Sequence, residues 1–171
     1  MDTSRLSQGE KIVAVCSGLL VLLSFFPLWA KYEFDFGVAS DSERYSAWSD
    51  AFSFLSKLAI LLALTALVFV IIRGIGKRVS LPMGLIYVGL GGLTSLLLLI
   101  LVITGPRDIA EIPGVGDIDL QGLEDAFEVS RGIMLFIGLA LAIGMLIGGY
   151  LHMQSAPDET PVTPTTPPPA S

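Results

Sequence analysis

The sequence predicts an all-α membrane protein: a bundle of four transmembrane helices with a small extracytoplasmic cap that contains a short β-strand or hairpin. Charged residues make up only 15% of the 171 residues and apolar residues 53%, whereas soluble domains carry about 25% charged residues. The apolar residues gather into four long blocks that hold almost no charge. Between the first two blocks, Tyr32, Phe34 and Phe36 alternate with charged residues, and this period of two is typical of a half-buried strand.

The four blocks predict helices over about 12–30, 52–72, 80–104 and 122–152, which together form a membrane domain over residues 12–154. The first block has no charge from Ile12 to Ala30, and a helix of that length reaches roughly 28 Å, about the thickness of a hydrocarbon core. Lipid cannot satisfy exposed backbone N–H and C=O groups, so such segments are expected to be helical. The fourth helix is extended outward to about residue 122 because apolar residues recur at helical spacing from Leu123 onward.

The first block also has the position of a signal peptide. Its apolar run is longer than the usual core of roughly 7–15 residues, and its end from Pro27 to Ala30 lacks the small residues of a cleavage site. We therefore expect the block to be retained as a helix, with cleavage as the alternative.

The positive charges predict the orientation in the membrane. Arg73, Lys77 and Arg78 lie between the second and third blocks, in a short stretch without an acid. Short loops rich in lysine and arginine stay on the cytoplasmic side. Both termini, including residues 1–11, are then cytoplasmic, and residues 31–50 and 105–130 face outward.

Aromatic residues gather near the predicted outer surface, at Trp29, Tyr32, Tyr45, Trp48 and Phe52. They predict an interfacial aromatic belt, since such belts occur in most membrane proteins. The alternative is an aromatic surface that binds a ligand or a partner.

The second outer loop nearly fits a calcium-binding loop. From Asp117 to Glu128, acids occupy positions 1, 3, 9 and 12, and glycine occupies position 6. Position 5 is Gln121, however, and Pro113 and the glycines beside it prevent a helix from leading into the loop. We therefore expect an acidic loop that opens a helix, whose N-terminus favours acids, with calcium binding as the alternative.

The C-terminal residues 155–171 predict a disordered cytoplasmic tail rich in proline and threonine. Six of the ten prolines fall in the last fifteen residues, a composition that cannot bury a core. P-x-x-P matches begin at Pro161 and Pro164. They would suit an adaptor domain, but a solvated tail is the simpler interpretation.

The predicted membrane interior is poor in reactive groups. Ionisable residues at membrane depth are costly and usually functional, and none lies in the middle of a block. Lys57 lies near the outer edge, where its ammonium either reaches water along the helix or pairs with Asp50. Cys16 and His152 are the single cysteine and histidine, interpreted as a small buried apolar residue and an interfacial residue. Glu10 is placed on the aqueous side of the first span.

The scarcity of ionisable and reactive residues in the predicted membrane interior predicts a protein that is not an enzyme and has no catalytic, cofactor or metal site. The sequence suggests no set of serine, histidine and acid for nucleophilic catalysis. The net charge of −6 and the pI near 4.6 argue against nucleic acid, whose binding needs a basic face. The expected partner is the lipid bilayer.

Small residues recur at helical spacing in the third and fourth blocks, at Gly84, Gly91, Ser95, Ala140, Gly144 and Gly148. Such stripes let helix backbones approach closely in lipid. They predict packing within the four-helix bundle, with homo-oligomerisation through the fourth helix as the alternative.

Several short runs resemble a group of four-helix integral membrane proteins of actinobacteria. They are Leu23-Ser-Phe-Phe-Pro-Leu-Trp29, Ser46-Ala-Trp-Ser49, Ser80-Leu-Pro82 and Gly148-Gly-Tyr150. The resemblance covers residues 11–152 and implies a four-helix topology in a bacterial plasma membrane. The group has no assigned activity, and some members carry a cytoplasmic zinc ribbon where this chain has its proline-rich tail.

The predicted function is that of a scaffold or accessory subunit, a non-catalytic membrane protein that acts through helix packing and an acidic, aromatic outer cap. Its partner would be another membrane protein or a second copy of the chain. The alternative is a small-solute transporter or sensor, which needs a polar path. The candidates for such a path are Ser17, Ser24, Thr65, Thr94 and Ser95.

Overall fold

A computed structural model of the protein describes residues 6–35, 40–49, 52–76, 82–105 and 127–155. Their elements follow in the order α1 (Gln8–Leu23), β1 (Ala30–Asp35), β2 (Ser40–Tyr45), α2 (Phe54–Gly74), α3 (Met83–Thr104), β3 (Phe127–Arg131) and α4 (Ile133–Ser155). The mostly helical class, the count of four helices and a small strand-containing unit, all predicted from the sequence, are confirmed for this part of the chain.

The four helices form a closed ring in which each packs mainly against two others, in the order α1–α2–α3–α4. At one end of the bundle, α1 leads into the sheet and α4 follows from it; we call this the sheet end. The guanidinium of Arg131 donates a hydrogen bond of 3.0 Å to the carbonyl of Ile103, which places the end of α3 there too. We call the opposite end, where α1 and α3 begin, the polar end.

The sheet is antiparallel, with the strand order β2-β1-β3. In the central strand, Ala30 pairs with Tyr45 on one side and with Arg131 on the other. The strand predicted from alternating aromatic residues therefore exists, but it is the middle of three strands. The third strand, β3, was not predicted.

Inward faces of the helices carry small or apolar side chains, and outward faces carry large apolar ones. On α2, Ala59, Ala63 and Ala66 are fully buried, while Leu61 and Val68 are exposed. A helix that is apolar on all sides needs apolar surroundings on its outer face as well.

Within the described ranges, three helices are long and apolar enough to cross a membrane: α2, α3 and α4, with mean hydropathies of 2.6, 2.5 and 2.2. The first helix has 16 residues, fewer than the roughly 20 that span a hydrocarbon core.

The first helix ends earlier than the predicted residue 30. After Leu23 the amides of Phe25 and Phe26 bond to carbonyls three residues back, which tightens the last turn. Pro27 has no N–H and disfavours a helical conformation in the residue before it. Ala30, the predicted last helical residue, is instead the first residue of β1.

The fourth helix begins later than predicted, at Ile133 and not near residue 122. Residues 127–131 follow a helical spacing, but they form β3 and pair with β1. The hydrogen bonds that β1 offers along its free edge override the local pattern. Gly132 lies between the strand and the helix. A side chain at this position would collide with the carbonyl of Leu28, so only glycine fits. The rest of the predicted extension, 122–126, lies outside the described residues.

Candidate functional site

A cluster of polar side chains joins all four helices at the polar end. It consists of Ser7 and Glu10 at the start of α1, Arg73 on α2, Tyr87 on α3 and His152 on α4. We call these five residues the polar cluster. Sequence reasoning did not group them.

The start of α1 fixes the first two members. Ser7 and Glu10 form a capping box, in which the Glu10 amide donates to Ser7 Oγ at 3.2 Å and the Ser7 amide donates to Glu10 Oε2 at 2.9 Å. Each side chain thereby satisfies an amide that the helix leaves unpaired. The S-x-x-E spacing before an apolar run is the local signal from which this arrangement could have been predicted.

Close contact between α1 and α4 buries Glu10. A side chain at Gly9 would collide with the Gly148 carbonyl and would lie 2.5 Å from the His152 amide nitrogen. Only glycine allows the two backbones to approach so closely. Glu10 is consequently 1% exposed, a burial that the sequence did not predict.

An ion pair connects α1 to α2. Glu10 Oε1 lies 2.7 Å from Arg73 Nη1, although Oε1 accepts no hydrogen bond from the described residues. Arg73 belongs to the last turn of α2, where a positive charge interacts favourably with the helix dipole. Its side chain is 35% exposed, so the pair is buried on the carboxylate side and hydrated on the guanidinium side.

The imidazole of His152 contacts two other members of the cluster. Its Nε2 lies 3.0 Å from Arg73 Nη1, and its Nδ1 lies 2.7 Å from Ser7 Oγ. A guanidinium can only donate, so Nε2 accepts and the proton of a neutral imidazole sits on Nδ1, which donates to Ser7. The histidine is thus held as the Nδ1–H tautomer, tying α4 to both α1 and α2.

The cluster contains two buried polar atoms without a hydrogen-bond partner. They are Glu10 Oε1 and the Tyr87 hydroxyl, and they are the two such side-chain atoms in the described part of the chain. The Tyr87 ring packs edge-on against His152, with 5.8 Å between ring centroids. Buried groups of this kind are usually hydrogen-bonded. Glu10 Oε1 instead has its ion pair with Arg73 Nη1 at 2.7 Å, whereas the Tyr87 hydroxyl has no hydrogen-bond partner among the described residues.

Ser7, His152 and Glu10 bring together a hydroxyl, an imidazole and a carboxylate, a grouping that the sequence did not suggest. Their geometry differs from that of a catalytic triad. In a triad the acid holds one ring nitrogen and the serine the other, whereas here Nε2 faces Arg73 and lies 4.0 Å from Glu10. Ser7 also accepts the Glu10 amide as a helix cap. The set as arranged connects helices.

The five hydroxyl residues predicted for a solute path are all hydrogen-bonded to the backbone of their own helices. Each donates to a carbonyl three or four residues earlier in its own helix or at its end, at distances of 2.6–2.8 Å; they are Ser17, Ser24, Thr65, Thr94 and Ser95. Their donors are therefore occupied within the helices that carry them.

Most of the predicted aromatic belt belongs to the packing at the sheet end. Trp29, Tyr32 and Phe52 are buried, and Trp29 donates to the Leu23 carbonyl at 2.8 Å. Trp48 is half-buried and donates to Ser24 Oγ at 2.9 Å. These buried and half-buried rings pack between the sheet and the bundle.

The small-residue stripes lie largely at contacts within the chain. A side chain at Gly91 would lie 2.6 Å from the Leu146 amide nitrogen, and one at Gly144 would lie 2.7 Å from Cys16 Sγ. Of the two predicted uses of these residues, packing within the bundle is the one these contacts match.

Several other predictions fall partly or wholly outside the described residues. The proline-rich tail after Ser155 lies outside, as does the partner predicted for Lys57, Asp50. The candidate calcium loop lies outside up to residue 126, and its last position, Glu128, belongs to β3 and not to the second helix of a calcium-binding hand. Among the described side chains, no three His, Cys, Asp or Glu are placed to hold a metal ion.

Fold and cluster together define a helical bundle with three helices suited to a membrane, closed by a sheet at one end and by a buried ion pair at the other. No family model matches the sequence, and no curated protein is significantly similar to it. The resemblance to four-helix actinobacterial proteins stays a prediction from the short runs.

Proposed function

We propose that the chain is a plasma-membrane protein whose four helices all cross the bilayer. The short α1 follows α4 along its length: Gly9 meets Gly148 at the polar end, and Leu20 reaches Gly138 towards the sheet end. A helix packed this way shares the depth of its neighbour. The outward side chains of α1, such as Val15 and Leu22, are large, apolar and exposed, as lipid contact requires.

In this proposal the polar end and both termini face the cytoplasm, and the sheet faces outward. The support is the placement of Arg73 at the end of α2, followed in sequence by Lys77 and Arg78. Short connections with several positive charges are retained on the cytoplasmic side.

The role that the geometry supports best is that of a non-catalytic scaffold or accessory subunit. One observation carries it: both ends of the bundle are locked by internal contacts, the polar cluster at one and the packed aromatic residues at the other. The hydroxyls between the ends are occupied within their own helices. Such a bundle offers partners a fixed outer surface and offers a solute no chain of free polar groups within the described residues.

The topology is tested by labelling single cysteines with a membrane-impermeant maleimide in a Cys16→Ala background. Ser42→Cys lies in the sheet and Ile75→Cys just after α2, and both positions are exposed. We expect Ser42→Cys to react in intact cells and Ile75→Cys to react only after the membrane is permeabilised. Labelling of Ile75→Cys from outside would contradict the orientation.

The scaffold role is tested by extracting the full-length protein in a mild detergent and identifying what remains bound. A stoichiometric membrane-protein partner, or a second copy of the chain, is expected. Purification as a lone monomer, under conditions that keep other membrane complexes of the same cells intact, would contradict it.

A small-solute sensor is the second candidate, and the Tyr87 hydroxyl favours it, because it is buried without a hydrogen-bond partner among the described residues. Transport has less support, because the hydroxyl groups predicted for a solute path donate to backbone carbonyls of their own helices. Solute flux into liposomes that contain the protein, above that into protein-free liposomes, would favour transport over both other roles.

A further inference from the structure

We propose that the polar cluster is a proton-binding site in which His152 exchanges its partner Arg73 for Glu10. His152 is the single histidine of the chain and is buried. Within the described residues, each other helix presents one charged or titratable group to it: Glu10 from α1, Arg73 from α2 and Tyr87 from α3. The inference concerns the cluster itself and holds whichever side of a membrane it faces.

In the unprotonated state the imidazole accepts at one nitrogen and donates at the other. Nε2 accepts from Arg73 at 3.0 Å, and Nδ1–H donates to Ser7 at 2.7 Å. Arg73 and Glu10 carry opposite charges at 2.7 Å. The three groups together are neutral.

A proton taken from water adds to the lone pair of Nε2 and breaks the hydrogen bond from Arg73. Two cationic donors then face each other at that contact, which is unfavourable in a poorly hydrated site. The cluster becomes positive by one charge. The donor on Nδ1 is unchanged, so the contact to Ser7 persists.

The new Nε2–H has an acceptor close by. Glu10 Oε1, which pairs with Arg73 Nη1 at 2.7 Å before protonation, lies 4.0 Å from Nε2. A shift of about 1 Å brings the two into hydrogen-bond distance. Arg73 can leave because its side chain already reaches water, whereas Glu10 cannot.

The exchange changes which helices are tied together. Before it, Arg73 connects the end of α2 to both α1 and α4; after it, α1 and α4 remain connected through Glu10 and His152, and α2 is released. Protonation would therefore loosen the end of α2 while the sheet end stays packed. A scaffold with this device presents a different surface at the polar end in acid.

The test uses the full-length protein in lipid nanodiscs, with ¹⁵N-labelled histidine and a nitroxide on Ile75→Cys in a Cys16→Ala background. One histidine gives one pair of imidazole nitrogen signals. Between about pH 8 and pH 5, the range in which histidine commonly titrates, we expect the signals to change from the Nδ1–H tautomer to the doubly protonated ring. The nitroxide should gain mobility with the same midpoint.

The control variant is His152→Gln, which keeps a polar side chain but does not titrate; its nitroxide response to pH should be lost. A nitroxide on Ser42→Cys, in the sheet, should not respond in the otherwise unchanged protein. The proposal is overturned if the imidazole stays unprotonated down to about pH 5, if the two midpoints differ in the histidine-containing protein, or if the glutamine variant keeps the response. The first two results do not depend on whether the variant folds.

Discussion

Removing Arg73 should destabilise the bundle far more than neutralising Glu10, although both changes break the same ion pair. The Glu10 side chain is 1% exposed, whereas the Arg73 side chain is 35% exposed. Arg73→Met therefore leaves a buried carboxylate without its counter-charge. Breaking a buried pair in this way costs about 3–5 kcal/mol, because the remaining charge is left uncompensated.

The reverse change leaves a charge that can reach water. Glu10→Gln keeps the size of the side chain and an oxygen that can accept from the Ser7 amide, and Arg73 can turn outward. The loss is then that of hydrogen bonding to a charged group, about 1.5–3 kcal/mol. At the 2.7 Å that separates Glu10 Oε1 from Arg73 Nη1, the gross attraction in a medium of effective dielectric constant 20 is about 6 kcal/mol. The free energy needed to remove the carboxylate from water offsets most of this attraction.

The assay is reversible unfolding of the full-length protein in mixed micelles, followed by the fluorescence of Trp29 and Trp48. We expect Arg73→Met to lose about 2 kcal/mol more free energy of unfolding than Glu10→Gln, the difference between the middles of the two ranges. The double variant should be more stable than Arg73→Met alone, because it no longer contains an orphaned carboxylate. Equal losses in the two single variants, or a double variant less stable than Arg73→Met, would refute the buried pair.

Other parts of the fold give matched predictions. Gly91→Ala, whose new methyl would lie 2.6 Å from a backbone nitrogen of α4, should cost about 1–3 kcal/mol. Gly89 lies two residues away, and a methyl group there would have nothing within 4 Å, so Gly89→Ala should stabilise the helix by about 0.5–1 kcal/mol. The same unfolding assay distinguishes the two alanine variants, and equal effects would contradict the α3–α4 contact. Trp29→Ala should cost about 3–5 kcal/mol, because it empties a fully buried site; in that assay, followed by circular dichroism, a loss under about 1 kcal/mol would mean the ring is not packed. The hydrogen bond from Tyr45 to Glu43 raises the pKa of the Tyr45 phenol. The stabilising contribution of this bond is therefore fully present below the ordinary tyrosine pKa near 10, and it is lost as the pH rises through the raised pKa of the folded protein. The titration of Tyr45 can be isolated by subtracting the alkaline absorbance titration of Tyr45→Phe. Its midpoint should be lower in Glu43→Gln than in the unchanged protein, and an unchanged midpoint would exclude the bond.

The apolar blocks predict the helices well because their signal is local and long. The observed α2 and α3 lie within about three residues of the predicted bounds at each end. The end of α1 and the start of α4 were predicted less well. Pro27 limits α1, and residues 127–131 pair with a strand almost a hundred positions earlier, which no local periodicity reveals.

The polar cluster lay beyond sequence reasoning for a related reason. Glu10, Arg73 and His152 are each near a helix end, where a charged residue normally faces water. What buries Glu10 is the approach of Gly9 to α4, and that approach depends on the arrangement of the whole ring. Of the cluster, only the Ser7–Glu10 capping spacing can be recognised from neighbouring residues.

The position of β1 at the centre of the sheet has a consequence for how the protein is made. The strand follows α1, but one of its two edges pairs with residues 127–131, which a ribosome adds after both α2 and α3. The nascent chain therefore carries an unpaired strand edge through most of its synthesis, and closing that edge is among the last steps by which α4 joins its neighbours.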